Sequence, residues 1–286
     1  MSTQPGAPEV PISARIRLAH ASAQRVAERA GVDVLHIKGA ALDPLLNAGR
    51  RESSDADVLV RPEHVRRFVT ALPTAGWVMW CDFDEGSLFE HAASFHHDQF
   101  GMLDVHRIFP GLHHHADRAF AALWSDRVAR SIAAVPCPAP GAMGEHLIML
   151  LHAGRTTGQD RDVANHWRAL GPDEQDELRS LADRLGAGVG LAAALGELDQ
   201  VDDAEADLWR LMLDNRDRLG EWRARWRAAS GWREHARLGM RAVRVNRFQL
   251  GQNLGRQPTR RDVRREWWRR LLAGARAARA RLPHRP

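Results

Sequence analysis

The stretch HIKGAALDPLLNAGRRESSDADVLV, residues 36–60, concentrates the chemistry of this sequence. It begins in a short run of β-branched and aliphatic residues, Val32–Ile37, that reads as a strand, and it ends in Asp55–Val60, which reads as another. Side chains i and i+2 of a strand share a face, so Asp55 and Asp57 project together while Ala56, Val58 and Val60 face a core. Two adjacent carboxylates repel each other and are rarely held side by side without a cation. Between the strands, Gly39–Asn47 is expected to form two or three helical turns stopped by Gly49, with the backbone N–H groups at Gly39 open to phosphate oxygens. Lys38, just before it, is the single lysine among 41 Lys and Arg residues. Its compact point charge suits a phosphate.

Working outward, residues 12–30 have Ile16, Ala19, Ala23 and Val26 at three- and four-residue spacing, which predicts a helix that Gly31 stops. Pro62 suits the first turn of a helix over Glu63–Leu72, which Pro73 and Gly76 end. Strands are expected at Trp77–Cys81, His91–Asp98 and Phe100–Phe109, the last two joined by a tight connection. Strands interleaved with helices make the first part an α+β domain with a mixed sheet flanked by helices. The segment Val135–Gly144, VPCPAPGAMG, has three prolines and two glycines and reads as a linker. Beyond it the pattern is helical over Glu145–Gly154, Arg161–Leu170, Asp173–Leu185, Val189–Leu198 and Asp203–Arg227. The expected division is therefore 1–138, an α+β domain, and 139–286, a helical domain with an Arg-rich end.

The predicted strand Met102–Arg107 carries Asp104 on the face opposite Leu103 and Val105, with His106 on the Asp104 side. If this strand neighbours Asp55–Val60, Asp104 reaches the same place as Asp55 and Asp57. Magnesium prefers hard oxygen ligands and commonly takes one or two carboxylates plus substrate phosphates. A third carboxylate would complete a two-ion clamp, with the ions about 3.5–4 Å apart. Arg51 is placed to neutralise phosphate charge and Ser53 to donate a hydroxyl. The plainer alternative is a turn at Ser54-Asp55, a solvated Asp57 and an edge-strand Asp104.

Lys38-Gly39-Ala40-Ala41-Leu42, Arg51-x-Ser53-x-Asp55-x-Asp57 and Leu103-Asp104-Val105-His106 together resemble nucleotidyltransferases of the polymerase-β-like superfamily. The nearest groups are the bacterial "uncharacterised nucleotidyltransferase" family and the abortive-infection-type toxins. The likeness covers roughly residues 30–110 and implies a nucleotidyltransferase-like catalytic domain followed by a helical one. It implies two Mg2+ ions held by Asp55, Asp57 and Asp104, and an NTP donor contacted by Gly39 and Lys38. Where the wider superfamily opens its phosphate turn with glycine-serine, this chain has Gly39-Ala40, and Lys38 or Ser53 would supply the missing contact. The implied reaction moves an NMP to a hydroxyl or phosphate of a small molecule, peptide or RNA, with release of pyrophosphate.

Composition sets bounds on these readings. No uncharged apolar run approaches membrane-spanning length, and the first residues lack a charged region followed by an apolar one. The two cysteines, Cys81 and Cys137, lie far apart with no CxxC spacing, which fits a reducing cytoplasm. Histidines crowd residues 91–115, but three in a row, His113–His115, do not converge on one metal from a regular strand or helix. Farther on, His152 and Asp162 read as substrate contacts or as helix caps and satisfied buried polar groups. Net charge is +5, yet residues 231–286 hold 16 arginines against three acids. Within that end, Val263, Trp267 and Leu271 make an apolar stripe among arginines. It reads as a polyanion contact through residues 233–281, as a membrane-surface helix, or as a docked helix with a solvated face. A non-catalytic module binding RNA or a protein through this end is the alternative to an enzyme.

Overall fold

The computed structural model describes residues 10–46, 53–83, 91–112, 115–155, 160–213, 245, 250, 254 and 258–279. Its centre is a five-stranded mixed sheet in the order β1-β2-β5-β4-β3. The strands are β1 (Val34–Ile37), β2 (Asp55–Val60), β3 (Val78–Cys81), β4 (Ala92–His97) and β5 (Gly101–His106). β2 and β5 run parallel and side by side, and every other pairing in this sheet is antiparallel. This is the α+β fold expected from the sequence.

One face of the sheet is covered by α1 (Ile12–Ala30) and α2 (Val65–Ala71). The helical spacing of Ile16, Ala19, Ala23 and Val26 lays those four residues onto Ala56, Val58, Leu103 and Val105, all buried in one core. Gly31 ends α1 in the left-handed conformation, with φ +61°, as glycine permits without a Cβ clash. The opposite face carries Leu35, Ile37 and Leu59. These pack into a second core with α3 (Ala116–Ser125), α4 (Ala142–Ala153), α6 (Pro172–Arg184), α7 (Gly188–Leu195) and α8 (Ala204–Leu213). Asp160–Val163 forms a short helix, α5, that continues as a π-turn through Arg168. The last helix, α9, spans Arg260–Arg279. The predicted continuation of α8 to Arg227 lies outside the described residues.

Two local expectations are corrected. Val135–Ala139 is a strand, β7, paired antiparallel with β6 (Val128–Ile132), so the Pro-rich segment is not a linker over that span. Pro136 and Pro138 are two apart and turn their donorless nitrogens to one edge, which an edge strand tolerates. Val135, Cys137 and Ala139 alternate with them and are buried. The turn is Ala133-Ala134, with φ +48° and +61°, a conformation usually assigned to Asn-Gly. Likewise, over the described residues 39–46 the expected helix of two or three turns does not form. Among them a 3₁₀ turn stands at Gly39–Ala41, and Leu42 is already extended with ψ 154°. Pro44 disfavours helical backbone at Asp43, so the turn cannot propagate. A single turn has almost no dipole to offer an anion.

The β6–β7 hairpin buttresses this turn. Ile132, Val135 and Cys137 pack with Ala21 of α1 and with Ala41. Just beyond, Arg130 Nη1 lies 2.9 Å from Asp43 Oδ2, and its Nη2 is 3.3 Å from Glu145 Oε2 of α4. The Asp43 N–H donates to Glu145 Oε1 at 2.6 Å. The chain leaving the turn is thus tied both to the hairpin and to the first helix of the helical part.

Candidate active site

The parallel register of β2 and β5 sets Asp57 directly opposite Asp104 and Leu59 opposite His106. All four sit on the face away from α1, since their neighbours Ala56, Val58, Leu103 and Val105 fill the core beneath. A ligand oxygen from each of Asp57 and Asp104 and a ring nitrogen of His106 lie within 4.8 Å of one another, close enough to surround one metal ion. Asp55 is displaced by one strand step. It is not part of that close group, and its carboxylate accepts hydrogen bonds from Ser53 Oγ at 2.9 Å and Ser54 Oγ at 3.4 Å.

Asp57 is 3% exposed and its Oδ1 is doubly engaged: Lys38 Nζ lies 2.6 Å away and His106 Nε2 2.8 Å. A carboxylate oxygen accepts, so His106 Nε2 carries the hydrogen and donates it. That leaves Nδ1 as the bare nitrogen, and it is buried with no hydrogen-bond partner among the described residues. To ligate a metal through Nε2, His106 would have to give up the hydrogen it lends to Asp57. Burial holds the imidazole well below its usual range, and the charges of Lys38 and Arg155 press it lower, so it stays neutral. Lys38 reaches Asp57 from a backbone with φ +60°, a conformation uncommon for a residue with a Cβ.

Asp104 is the proton-binding member. Burial and the adjacent Asp57 push its carboxyl up to about 7, while Ser94 Oγ, donating to Asp104 Oδ1 at 2.6 Å, opposes the shift. Asp55 moves in the same direction through burial and the charge of Asp57. Three carboxylates compressed beside one lysine form a site whose charge a divalent cation would balance. Two carboxylates with free oxygens at this spacing are the donors that magnesium or manganese takes.

Among the other predicted residues, Gly39 has φ +50°, and a Cβ there would stand 3.0 Å from Ser53 Cβ. This close approach presses the Lys38-Gly39 turn against the chain entering β2. It brings the Ser53 hydroxyl beside Gly39, although that hydroxyl also bonds the Asp55 backbone oxygen at 2.8 Å. Arg51 lies outside the described residues. Apart from His106, no histidine of the His-rich segment joins a metal-ligating group among the described residues. His96 stacks on Trp80 at 4.5 Å, His97 packs against Trp77 and Phe100, and His91 stacks on His106 at 5.3 Å. His113 and His114 are outside the described residues. Asp162 is buried, and His152 Nδ1 lies 3.4 Å from an Arg155 guanidinium nitrogen.

Two residues of this region escaped the sequence reading. Ser94 stands opposite Asp104 across the β4–β5 hairpin, a relation that only the register reveals. Arg155 follows α4 and arrives from the helical part, about 50 positions along the chain from Asp104. The sequence offers no spacing that would join them.

A mixed sheet with two carboxylates abreast on neighbouring parallel strands, a lysine-glycine turn beside them and helices following is the plan of a nucleotidyltransferase. A family model described as "Uncharacterised nucleotidyltransferase" matches residues 13–198, so the chain belongs to that family and is a nucleotidyltransferase by class. No curated protein matches the sequence significantly. Among solved structures, the antibiotic-resistance factor ANT(2'')-Ia is similar at 17% identity and TM-score 0.44, over 66% of this chain and 99% of that one. The lincosamide antibiotic adenylyltransferase LnuA matches at 18% identity and TM-score 0.35, over 52% of this chain and 94% of that one. An antigenic nucleotidyltransferase-like protein from Paracoccidioides brasiliensis matches at 13% identity and TM-score 0.37, over 65% and 92% respectively. Among the described residues no helix is long and apolar enough to cross a membrane.

Proposed function

We propose that the chain moves a nucleoside monophosphate from an NTP to a hydroxyl or phosphate of an acceptor, using Mg2+ and releasing pyrophosphate. The observation that carries this reading is the placement of Asp57 opposite Asp104, with ligand atoms within 4.8 Å of each other and of His106. Asp55, Asp57 and Asp104 are the proposed ligands of two ions, and Lys38, Gly39, Arg51, Ser53 and His106 the proposed nucleotide contacts. Bound there, magnesium would neutralise phosphate charge and make an acceptor hydroxyl more acidic.

The chain's own groups have distinct tasks. Without metal the Asp104 carboxyl is raised to about 7, so a divalent ion binding there would displace its proton and bind more tightly as the pH rises. His106 donates to Asp57 and fixes the direction of that carboxylate. Lys38, 15% exposed and tied to Asp57, is placed to exchange that partner for a phosphate oxygen once a divalent ion occupies the carboxylate. The division into a catalytic part, 1–138, and a helical part, 139–286, assigns the chemistry to the first. α9, with Trp268 exposed among arginines, supports a polyanion contact within residues 233–281.

The test is transfer from NTPs labelled at the α-phosphate to fractions of a cell extract, with and without magnesium. The expected result is magnesium-dependent labelling of one acceptor fraction that Asp57→Asn and Asp104→Asn both abolish. Labelling that persists unchanged in Asp57→Asn would place the chemistry elsewhere.

A further inference from the structure

Arg155 differs from Arg61 and Arg130, two half-buried arginines that each hold a carboxylate. Arg61 has Asp33 at 2.8 Å, and Arg130 has Asp43 at 2.9 Å and Glu145 at 3.3 Å. Among the described residues, no carboxylate comes within ion-pair distance of Arg155. Its guanidinium lies over the Phe109 ring, 5.1 Å from the centroid. Its Nη1 is 3.5 Å from His91 Nε2 and its Nη2 3.4 Å from His152 Nδ1, both long contacts to neutral-type acceptors. Its Nε is buried and makes no hydrogen bond. A guanidinium taken from water without a counter-charge is costly, and a fork of five donors matches phosphate oxygens.

The position of Arg155 connects it to the carboxylates. His91, which it touches, stacks on His106, and His106 donates to Asp57. Phe109, beneath it, also packs against His106, with ring centroids 5.8 Å apart. Arg155 therefore stands at the His106 end of the Asp57–Asp104 edge, at the end of the helix that Glu145 ties to Asp43, just after the Lys38-Gly39 turn.

We propose that Arg155 is a phosphate-binding residue of this site, contributed by the helical part, and that its ligand is the polyphosphate of the nucleotide donor. The proposal rests on the nucleotidyltransferase reading above and deepens it. Lys38, in the turn after β1, and Arg155, just after α4, then both contact the donor. Such an arrangement makes donor binding depend on both parts of the chain.

The experiment is calorimetric binding of inorganic pyrophosphate with Mg2+, and in a second arm of phenyl phosphate, to the full chain, to Arg155→Met and to Arg155→Lys. Pyrophosphate reports the donor, and phenyl phosphate a phosphate-bearing acceptor. The expected result is pyrophosphate binding weakened about 10- to 100-fold in Arg155→Met and less in Arg155→Lys, which keeps the charge but not the fork. Loss confined to phenyl phosphate would overturn the donor assignment and move Arg155 to the acceptor side. Unchanged binding of both anions by a folded Arg155→Met would overturn the proposal altogether. If Arg155→Met unfolds, Arg155→Lys decides: unchanged pyrophosphate affinity there counts against a fork-specific contact. Label transfer by Asp57→Asn is measured in parallel, because its persistence would sink the catalytic reading without touching the binding result.

Discussion

Asp104→Asn should make the metal-free protein more stable at alkaline pH, because the native site strains to keep that carboxyl ionised. Its folded pKa is about 7 against an ordinary value of 3.8, raised by burial and by Asp57. A carboxyl whose pKa rises on folding contributes stability below its unfolded value and loses it as pH climbs through the folded value. Three pKa units correspond to about 4 kcal/mol, of which about 2–3 kcal/mol is lost between pH 5 and pH 8. Partial solvent contact of the carboxyl places the result towards the lower end. Asparagine keeps an acceptor for Ser94 Oγ but has no proton to lose, so it removes this dependence. The buried histidines titrate alike in both proteins and cancel in the comparison. The assay is urea unfolding in EDTA at pH 5, 6, 7 and 8. The Asp104→Asn variant should gain on the native protein steadily over this range, by about 2 kcal/mol or more, and a divalent ion should reverse the order at pH 8. A gap between the two proteins that is the same at pH 5 and pH 8 would falsify the coupling of Asp104 to Asp57.

Other perturbations follow from the same geometry. Lys38→Met removes the ammonium 2.6 Å from a carboxylate that is 3% exposed, which should cost about 2–4 kcal/mol without metal; added Mg2+ or Mn2+ should recover part of it in a thermal melt. Ser94→Ala takes away the hydroxyl that favours ionised Asp104, so the pH at which divalent binding is half-maximal, followed by calorimetry, should move upward. Gly39→Ala forces a Cβ to 3.0 Å from Ser53 Cβ at φ +50°, and it should lose about 1–2 kcal/mol in chemical unfolding together with nucleotide affinity.

The parts of this account that were legible in the sequence are those with local periodicity. The helical spacing of α1, the two-residue alternation of Asp55–Val60 and of Met102–His106, and the tight β4–β5 connection each follow from a short window. The β6–β7 hairpin was not legible because Ala133-Ala134 adopts positive φ without glycine or asparagine, and because two prolines masked the alternation of β7. The turn after β1 read as a helix because its Ala and Leu content favours one, whereas Pro44 stops it. Asp57, Asp104 and His106 could be put on the right faces from sequence, but their closeness depends on β2 and β5 being parallel neighbours. Ser94, Arg155 and the Asp43–Arg130–Glu145 bridge belong to pairings 10 to 102 residues apart, which no local pattern encodes.

The central claim is that the Asp57–Asp104 edge holds the divalent ion on which nucleotidyl transfer depends. A crystal grown with Mn2+ and an NTP analogue blocked at the α–β bridge tests it most directly, since manganese is located by its anomalous scattering. The account predicts a peak coordinated by Asp57 and Asp104, with the analogue's phosphates beside Lys38 and Gly39. Manganese and nucleotide bound together at any place that leaves Asp57 paired with Lys38 would contradict it.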